Sequence, residues 1–356
     1  KKVVSARALW VKILQNRMET GEPYVMFEDA VNNDLPSFQQ KKGLYVNHSN
    51  LCSEITLPTN EERTAVCCLS SVNLEYFDEW KNHASFIPDL VRFLDNVLQY
   101  FIDNAPSQLE KAKYSAYRER SIGLGAMGFH AYLQKNSIPF EGPVAASANH
   151  MIFKHIKDGA MEETLQLAVE RGACPDDDSC RVRNAHLLAI APNASSSIIC
   201  GNTSPSIEPF RANAYTQKTK SGSYLQKNKF LEQLLEKYGK NDDKTWRDIV
   251  TNKGSVQHLE FLSETEKEVF KTAVEINQAW VIEHAAERQQ FICQSQSLNL
   301  FFPPDVNKGE LHNIHMVAWA KNLKTLYYLR SEAISRADNV SNEVKREIIF
   351  EQQDCL

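Results

Sequence analysis

From Ile87 to Ile102 apolar residues recur at spacings of three and four, with Ile87, Leu90, Val91, Leu94, Val97, Leu98, Phe101 and Ile102 sharing one face. That period predicts a helix with a buried stripe. Asp103-Asn104-Ala105-Pro106 ends it, because the residue before a proline is pushed out of the α region. The same reading predicts helices from Ala6 to Met18, from Ala145 to Arg171 before Gly172, and from Phe230 to Tyr238 before Gly239. Ser263-Glu264-Thr265-Glu266 is a capping box, and the helix it opens is expected to run through Val269, Phe270, Ala273, Val274 and Trp280. Brief runs between the helices read as strands: Ser53 to Leu57, Ala65 to Leu69, His186 to Ile190, Ser297 to Phe302 and Thr325 to Leu329. Helices alternating with short buried strands predict an α/β architecture.

From about Ala212 to His258 the chain turns polar, with Lys, Asn, Asp and Gly and two modest helices, which reads as a small inserted subdomain. A length of 356 residues suggests about two domains, and 42% apolar with 24% charged residues is ordinary globular usage. The net charge is 40 minus 45, or −5, which disfavours long nucleic acids and membrane surfaces as partners. Eight cysteines, at 52, 67, 68, 174, 180, 200, 293 and 355, are too irregular for a disulfide scaffold and fit a reducing compartment. No apolar run reaches the roughly 18 residues of a membrane span, so a cytoplasmic location is expected. The first residue is Lys1 rather than Met, and a helix is already under way at Ala6, so a piece of a larger protein is expected.

Asn50-Leu51-Cys52-Ser53-Glu54 places an amide, a thiol and a carboxylate at alternate positions. In an extended segment the three would share a face, each about 7 Å from the next, and could converge on a ligand. A structural cysteine beside a surface glutamate is the alternative. Val66-Cys67-Cys68-Leu69 supplies further thiols, of which only one can join the Cys52 side, since strand neighbours point to opposite faces. Taken alone, the pair reads first as two inert core cysteines. In Ala191-Pro192-Asn193-Ala194-Ser195-Ser196-Ser197, Asn193 reads as an N-cap, and the following N–H groups could cradle a phosphate, or simply cap a helix. Tyr327-Tyr328 reads as packing or as a redox pair whose stacking would need a bent backbone.

Two other motifs lack their context. Gly123-Leu124-Gly125-Ala126-Met127-Gly128 matches a dinucleotide fingerprint, but no strand is read before it and no acidic partner follows, so close helix packing is expected. Neither His312-Asn313-Ile314-His315 nor Cys174 to Cys180 has the spacing of a zinc site.

The order and spacing of Asn50-x-Cys52-x-Glu54, Cys67, Pro192 to Ser196 and Tyr327-Tyr328 resemble the large subunit of class I ribonucleotide reductase, along essentially the entire chain. The likeness is to the C-terminal half of that subunit. It implies the second half of a ten-stranded α/β barrel with a small inserted α+β subdomain. Residues 1–211 would form a half-barrel with the radical-cysteine and phosphate loops, and 212–290 a mainly helical insert. Residues 291–345 would close the barrel with the tyrosine pair, and 346–356 would begin a mobile tail.

By the same resemblance, Cys52 matches the transient thiyl radical, Glu54 the general base at the ribose 3′-hydroxyl, and Asn50 an amide near that carboxylate. Cys67 matches one of two reducing thiols, with Cys68 its outward neighbour. Pro192, Asn193, Ala194, Ser195 and Ser196 match the loop that holds the diphosphate of a ribonucleoside diphosphate. Tyr327 and Tyr328 match the stacked pair that relays the radical, and Cys355 belongs to a tail dithiol. No metal or cofactor is implied in this chain itself. The implied partners are an N-terminal half of the large subunit, a small subunit holding a dimetal/tyrosyl-radical cofactor, and a thioredoxin- or glutaredoxin-type dithiol reductant. Two rival readings stand beside this one: a cysteine hydrolase using Cys52 with His48 nearby, and a catalytically idle scaffold half.

Overall fold

The computed structural model describes residues 3–219 and 222–331. Cys355 and the expected tail at 346–356 lie outside the described residues, as does the last part of the segment 291–345.

The fold is α/β. Strand β1 (Val25–Met26) follows the Ala6–Thr20 helix, and β2 (Cys68–Asn73) pairs in parallel with β3 (Ile122–Met127). An antiparallel hairpin, β4 (Ala214–Thr219) with β5 (Gly222–Lys227), lies in the polar segment. Near the end, β6 (Leu300–Phe301) pairs in parallel with β8 (Leu329–Arg330), while β7 (Thr325–Leu326) takes β1 as an antiparallel neighbour. Parallel bridges Leu124↔Leu188 and Ile190↔Gln296 connect the pieces. The result is five parallel segments side by side: β2, β3, 187–190, 294–301 and 325–330. Helices cross over between them, as parallel neighbours require.

The periodic helix spans Phe86–Asn104 and buries Ile87, Val91, Leu94, Leu98 and Ile102. It packs against the Pro143–Arg171 helix, and both cover the outer face of the sheet in one large apolar cluster. The inner face carries a smaller cluster of Ile55, Leu57, Ala189, Ala65 and Cys67. Charge is buried with its partners: Asp95, fully buried, receives Arg120 at 2.8 Å, Arg171 at 2.9 Å and Arg183 at 3.3 Å.

Several expectations change. The glycine run is itself a strand, fully buried, rather than a site of helix packing. Its glycines let neighbours approach, since a Cβ at Gly125 would meet the Ala189 carbonyl oxygen. The capping box at Ser263 forms, but its helix stops at Val269 and a second helix runs Gln278–Gln289. Between them the Ala273 N–H bonds the Phe210 carbonyl at 2.8 Å, and Asn277 caps the second helix. Residues 53–57 form no strand, and the run expected at Ala65 enters its ladder only at Cys68. The insert has its own apolar cluster from Ala214 to Phe270, around Leu231, Leu235, Trp246 and Ile249. Val281, Ile282 and Ala285 belong to the main cluster, so the packing changes well before residue 290. Among the described residues, no helix is long and apolar enough to cross a membrane.

Candidate active site

Residues 50–55 are a tight turn, not the extended segment expected. The Ser53 N–H bonds the Asn50 carbonyl at 3.1 Å, the Asn50 N–H bonds the Ile55 carbonyl at 3.3 Å, and Asn50 Oδ1 accepts from the Ile55 N–H at 3.1 Å. Ser53 closes the turn in the left-handed region at φ 69°. This geometry directs Leu51 outward, 81% exposed, and buries both Ser53 and Glu54. Strict alternation, which would have turned Ser53 away with Leu51, therefore does not hold. The Asn50 side-chain oxygen serves the turn itself.

The turn rests on the two last parallel segments. Ser297 Oγ donates to the Cys52 carbonyl at 2.5 Å and lies 3.2 Å from Glu54 Oε2. Thr325 Oγ1 donates to the Ser53 carbonyl at 3.0 Å, and the Ser295 N–H donates to the Glu54 carbonyl at 2.9 Å. None of Ser295, Ser297 or Thr325 stood out in the sequence. Their signal was only the alternation of Ser295 with Ser297 at the start of one strand-like run and Thr325 at the start of the next.

Tyr327 O–H donates to Cys52 Sγ at 3.6 Å. The Tyr327 and Tyr328 rings lie 4.4 Å apart between centroids, because the ladder breaks between β7 and β8 and the Tyr328 N–H turns to Asn299 Oδ1. The expected bend is present. Tyr24, not singled out in the sequence, sits 4.6 Å from the Tyr327 ring and 4.9 Å from that of Tyr328. The Arg330 guanidinium covers the Tyr328 ring at 3.9 Å. Burial and the nearby Cys52 push the Tyr327 phenol well up, and burial with the Tyr328 hydrogen bond does the same to Tyr24. Both hydroxyls therefore keep their protons through the neutral range.

Cys67 and Cys68 take opposite faces, Cys67 in the inner cluster and Cys68 against the outer one. Burial pushes the Cys67 thiol up, partly offset by Gln294 Nε2, which donates to its sulfur at 3.5 Å. The 192–196 loop is built differently from expectation. Its helix is only Ser196–Ile199 and its N-cap is Ser195, while Asn193 is left-handed at φ 53°. The Asn193 amide ties the loop to the sheet, donating to the Ala126 and Ala191 carbonyls and accepting from Ser71 and Ser196. Ala194 and Ser195 are left exposed.

A cavity of about 830 Å³ adjoins the site. Pro192, Ala194 and Ser197 line one side, and Tyr327, Asn299 and Glu208 another. Burial pushes the Glu208 carboxyl up to about 7, against Arg211, the Asn299 hydrogen bond and Arg330. Tyr327, which bonds the Cys52 sulfur, lines this cavity, and Cys52 itself does not.

The succession of parallel segments joined by crossover helices, with the cysteine turn resting on its last two segments and the tyrosine pair in the last of them, defines the class as an α/β protein built on a parallel sheet. The family model described as ribonucleotide reductase, barrel domain, matches residues 1–179 and 179–329, and the chain belongs to that family. It is 49% identical over 358 residues to the ribonucleoside-diphosphate reductase large subunit of Invertebrate iridescent virus 3, covering 100% of this chain and 57% of that protein. It is 32% identical over 367 residues to the ribonucleoside-diphosphate reductase large subunit of Danio rerio, covering 93% of this chain and 46% of that protein. Among solved structures, the class Id ribonucleotide reductase alpha subunit of Actinobacillus ureae matches with a TM-score of 0.87 and 41% identity, over 92% of this chain and 62% of that one. The chain thus spans about half the length of the curated relatives it matches.

Proposed function

We propose that this chain is the radical-bearing part of a class I ribonucleoside-diphosphate reductase large subunit. The observation that carries the reading is the line from Tyr328 through Tyr327 to Cys52: rings 4.4 Å apart, then hydroxyl to sulfur at 3.6 Å. Oxidation of Tyr327, by way of Tyr328, removes its electron and phenolic proton. The phenoxyl oxygen then takes a hydrogen atom from Cys52, so an O–H bond forms as the S–H bond breaks, leaving a thiyl radical. That radical takes the ribose 3′ hydrogen while Glu54 accepts the 3′-hydroxyl proton. The 2′-hydroxyl leaves as water when Cys67 and a second thiol supply two electrons and close a disulfide. The 192–196 loop, with Ala194 and Ser195 exposed, would hold the diphosphate, and its tie to the sheet through Asn193 fixes it relative to Ser71.

The oxidant in this scheme is a small subunit with a dimetal/tyrosyl-radical cofactor. The second thiol comes from the N-terminal half, and turnover draws on a thioredoxin- or glutaredoxin-type dithiol. The hydrolase reading finds less support, because the partner at the Cys52 sulfur is a phenol and His48 is exposed.

In the complete enzyme, Cys52→Ser should abolish deoxynucleotide formation while leaving nucleotide binding nearly intact. Phe at Tyr327 or at Tyr328 keeps the packing and removes the ionisable hydroxyl, so folding should survive and turnover should fail. Product formation by the Cys52→Ser enzyme would refute the reading. Activity in both Phe variants would remove the relay from it.

A further inference from the structure

Side chains two apart on a strand share a face, so Ser295 and Ser297 on one segment, and Thr325 and Tyr327 on its neighbour, project together toward the Cys52 turn. Three successive carbonyls of that turn are held from this surface: Cys52 by Ser297 Oγ, Ser53 by Thr325 Oγ1 and Glu54 by the Ser295 N–H. The Ser295 and Thr325 hydroxyls are themselves 2.7 Å apart. With Ser295 as donor there, the one Thr325 proton is shared between the Ser53 carbonyl at 3.0 Å and the Gln296 carbonyl at 2.9 Å. Ser53 is a non-glycine residue in the left-handed region, a conformation that persists where its surroundings over-determine it. The hydroxyls supply that constraint, and the same strand aims Tyr327 at the sulfur.

We propose that Ser297 is a positioning residue that couples the protonation of Glu54 to the hold on the Cys52 turn. The proposal rests on the functional reading above. A serine hydroxyl has one proton, and Ser297 faces two acceptors, the Cys52 carbonyl and Glu54 Oε2. While Glu54 is a carboxylate, the two acceptors compete for that proton. Once Glu54 has taken the 3′-hydroxyl proton, it becomes a donor to Ser297 Oγ, and the Ser297 proton is released entirely to the Cys52 carbonyl. The turn is then held most firmly while substrate is in its radical form and Cys52 must return the hydrogen atom. No bond beyond hydrogen bonds changes, and the device needs only a hydroxyl rotation.

Ser297 is fully buried, and threonine and valine offer a pair of near-equal shape with and without the hydroxyl. The test compares Ser297→Thr, Ser297→Val and Ser297→Ala in the enzyme assembled with its N-terminal half and small subunit, with Cys52→Ser alongside. Ser297→Thr should retain most activity. Ser297→Val should lose about 10- to 100-fold in kcat with little change in KM, the scale of one hydrogen bond to a charged group. Its isotope effect with 3′-deuterated substrate should rise, because hydrogen transfer at Cys52 becomes more rate-limiting. Cys52 alkylation by iodoacetamide, followed by mass spectrometry with exposed Cys200 as internal reference, should also differ between the Val and Thr variants.

Equal kinetics and equal alkylation in Val and Thr variants, with Cys52→Ser inactive, would overturn the inference and leave the functional reading standing. Turnover by Cys52→Ser would overturn the functional reading and, with it, the coupling to Glu54, whatever the alkylation rates. A Val variant that does not fold beside a folded Thr variant would assign the hydroxyl to stability and overturn positioning. If neither β-branched variant folds, Ser297→Ala against the unaltered enzyme is judged by the same readouts, and an unfolded Ala variant again assigns the hydroxyl to stability.

Discussion

The Cys293 sulfur sits between two strands and accepts backbone N–H groups from Leu187 at 3.1 Å and Leu188 at 3.2 Å. Burial pushes this thiol up, yet the Lys157 charge, His186 and the Leu188 N–H outweigh it and hold the group at about 5. A depressed pKa means the unfolded chain binds more protons at intermediate pH, so folding stability rises with pH across that interval. The contribution is complete above the ordinary thiol value of 9.0 and is lost as pH falls through about 5. Cys293→Ser should therefore cost most stability near pH 9 and progressively less toward pH 5, as urea denaturation at the two pH values would show. A gap independent of pH would mean the thiol is neutral. At this scale the sequence disclosed which residue types carry chemistry, but not what holds them. Cys52 and Glu54 were legible as a thiol and a carboxylate in one pentapeptide. Ser297 and Thr325 lie 245 and 272 residues from their carbonyl partners, a separation that no local pattern reports.

Elements were legible where one period dominated. The Phe86–Asn104 helix follows from its apolar spacing and its proline stop, because helix formation there needs no distant partner. The break between Val269 and Gln278 was not, since it depends on Phe210 taking an N–H that a continuous helix would use internally. Strand β3 was missed because glycine has low strand propensity, and the feature that selects it here is proximity. A methyl at Gly125 would meet the Ala189 carbonyl oxygen and come within 3.3 Å of both Ile190 Cα and Ser71 Oγ. Gly125→Ala should thus destabilise the chain by about 1 to 3 kcal/mol, the usual range for forcing an extra methyl into a packed core. Because Ser71 anchors Asn193, the same change should also loosen the 192–196 loop, read as weaker nucleotide binding. A variant with unaltered denaturation midpoint would show that the strands can part at no cost.

Across the whole molecule, the parallel succession begins at β2, whose outer edge has no strand beside it among the described residues, and Leu69 on that strand is 41% exposed. The far edge is partly covered, since β1 pairs with β7 and the Leu329 N–H bonds the Gly21 carbonyl. Unpaired edges of this kind favour assembly with a covering chain. The chemistry argues in the same direction. In the proposed scheme Cys67 pairs with a second thiol to deliver two electrons, yet its hydrogen-bonding neighbour is the Gln294 amide, Cys293 is engaged by backbone N–H groups, and burial pushes Cys174 up to about 11. Cys180 and Cys200 are exposed on the surface. We therefore predict that this polypeptide reduces ribonucleoside diphosphates only in a complex with an N-terminal-half chain, docked in turn to the radical-generating subunit. The check is an assay of the purified chain with substrate, a dithiol reductant and the radical subunit, with and without the other half. Turnover should appear only in the second case. Turnover without it would mean that Cys174, Cys180, Cys200 or Cys293 reaches Cys67 during catalysis, and Cys→Ser changes at those four positions would then identify which.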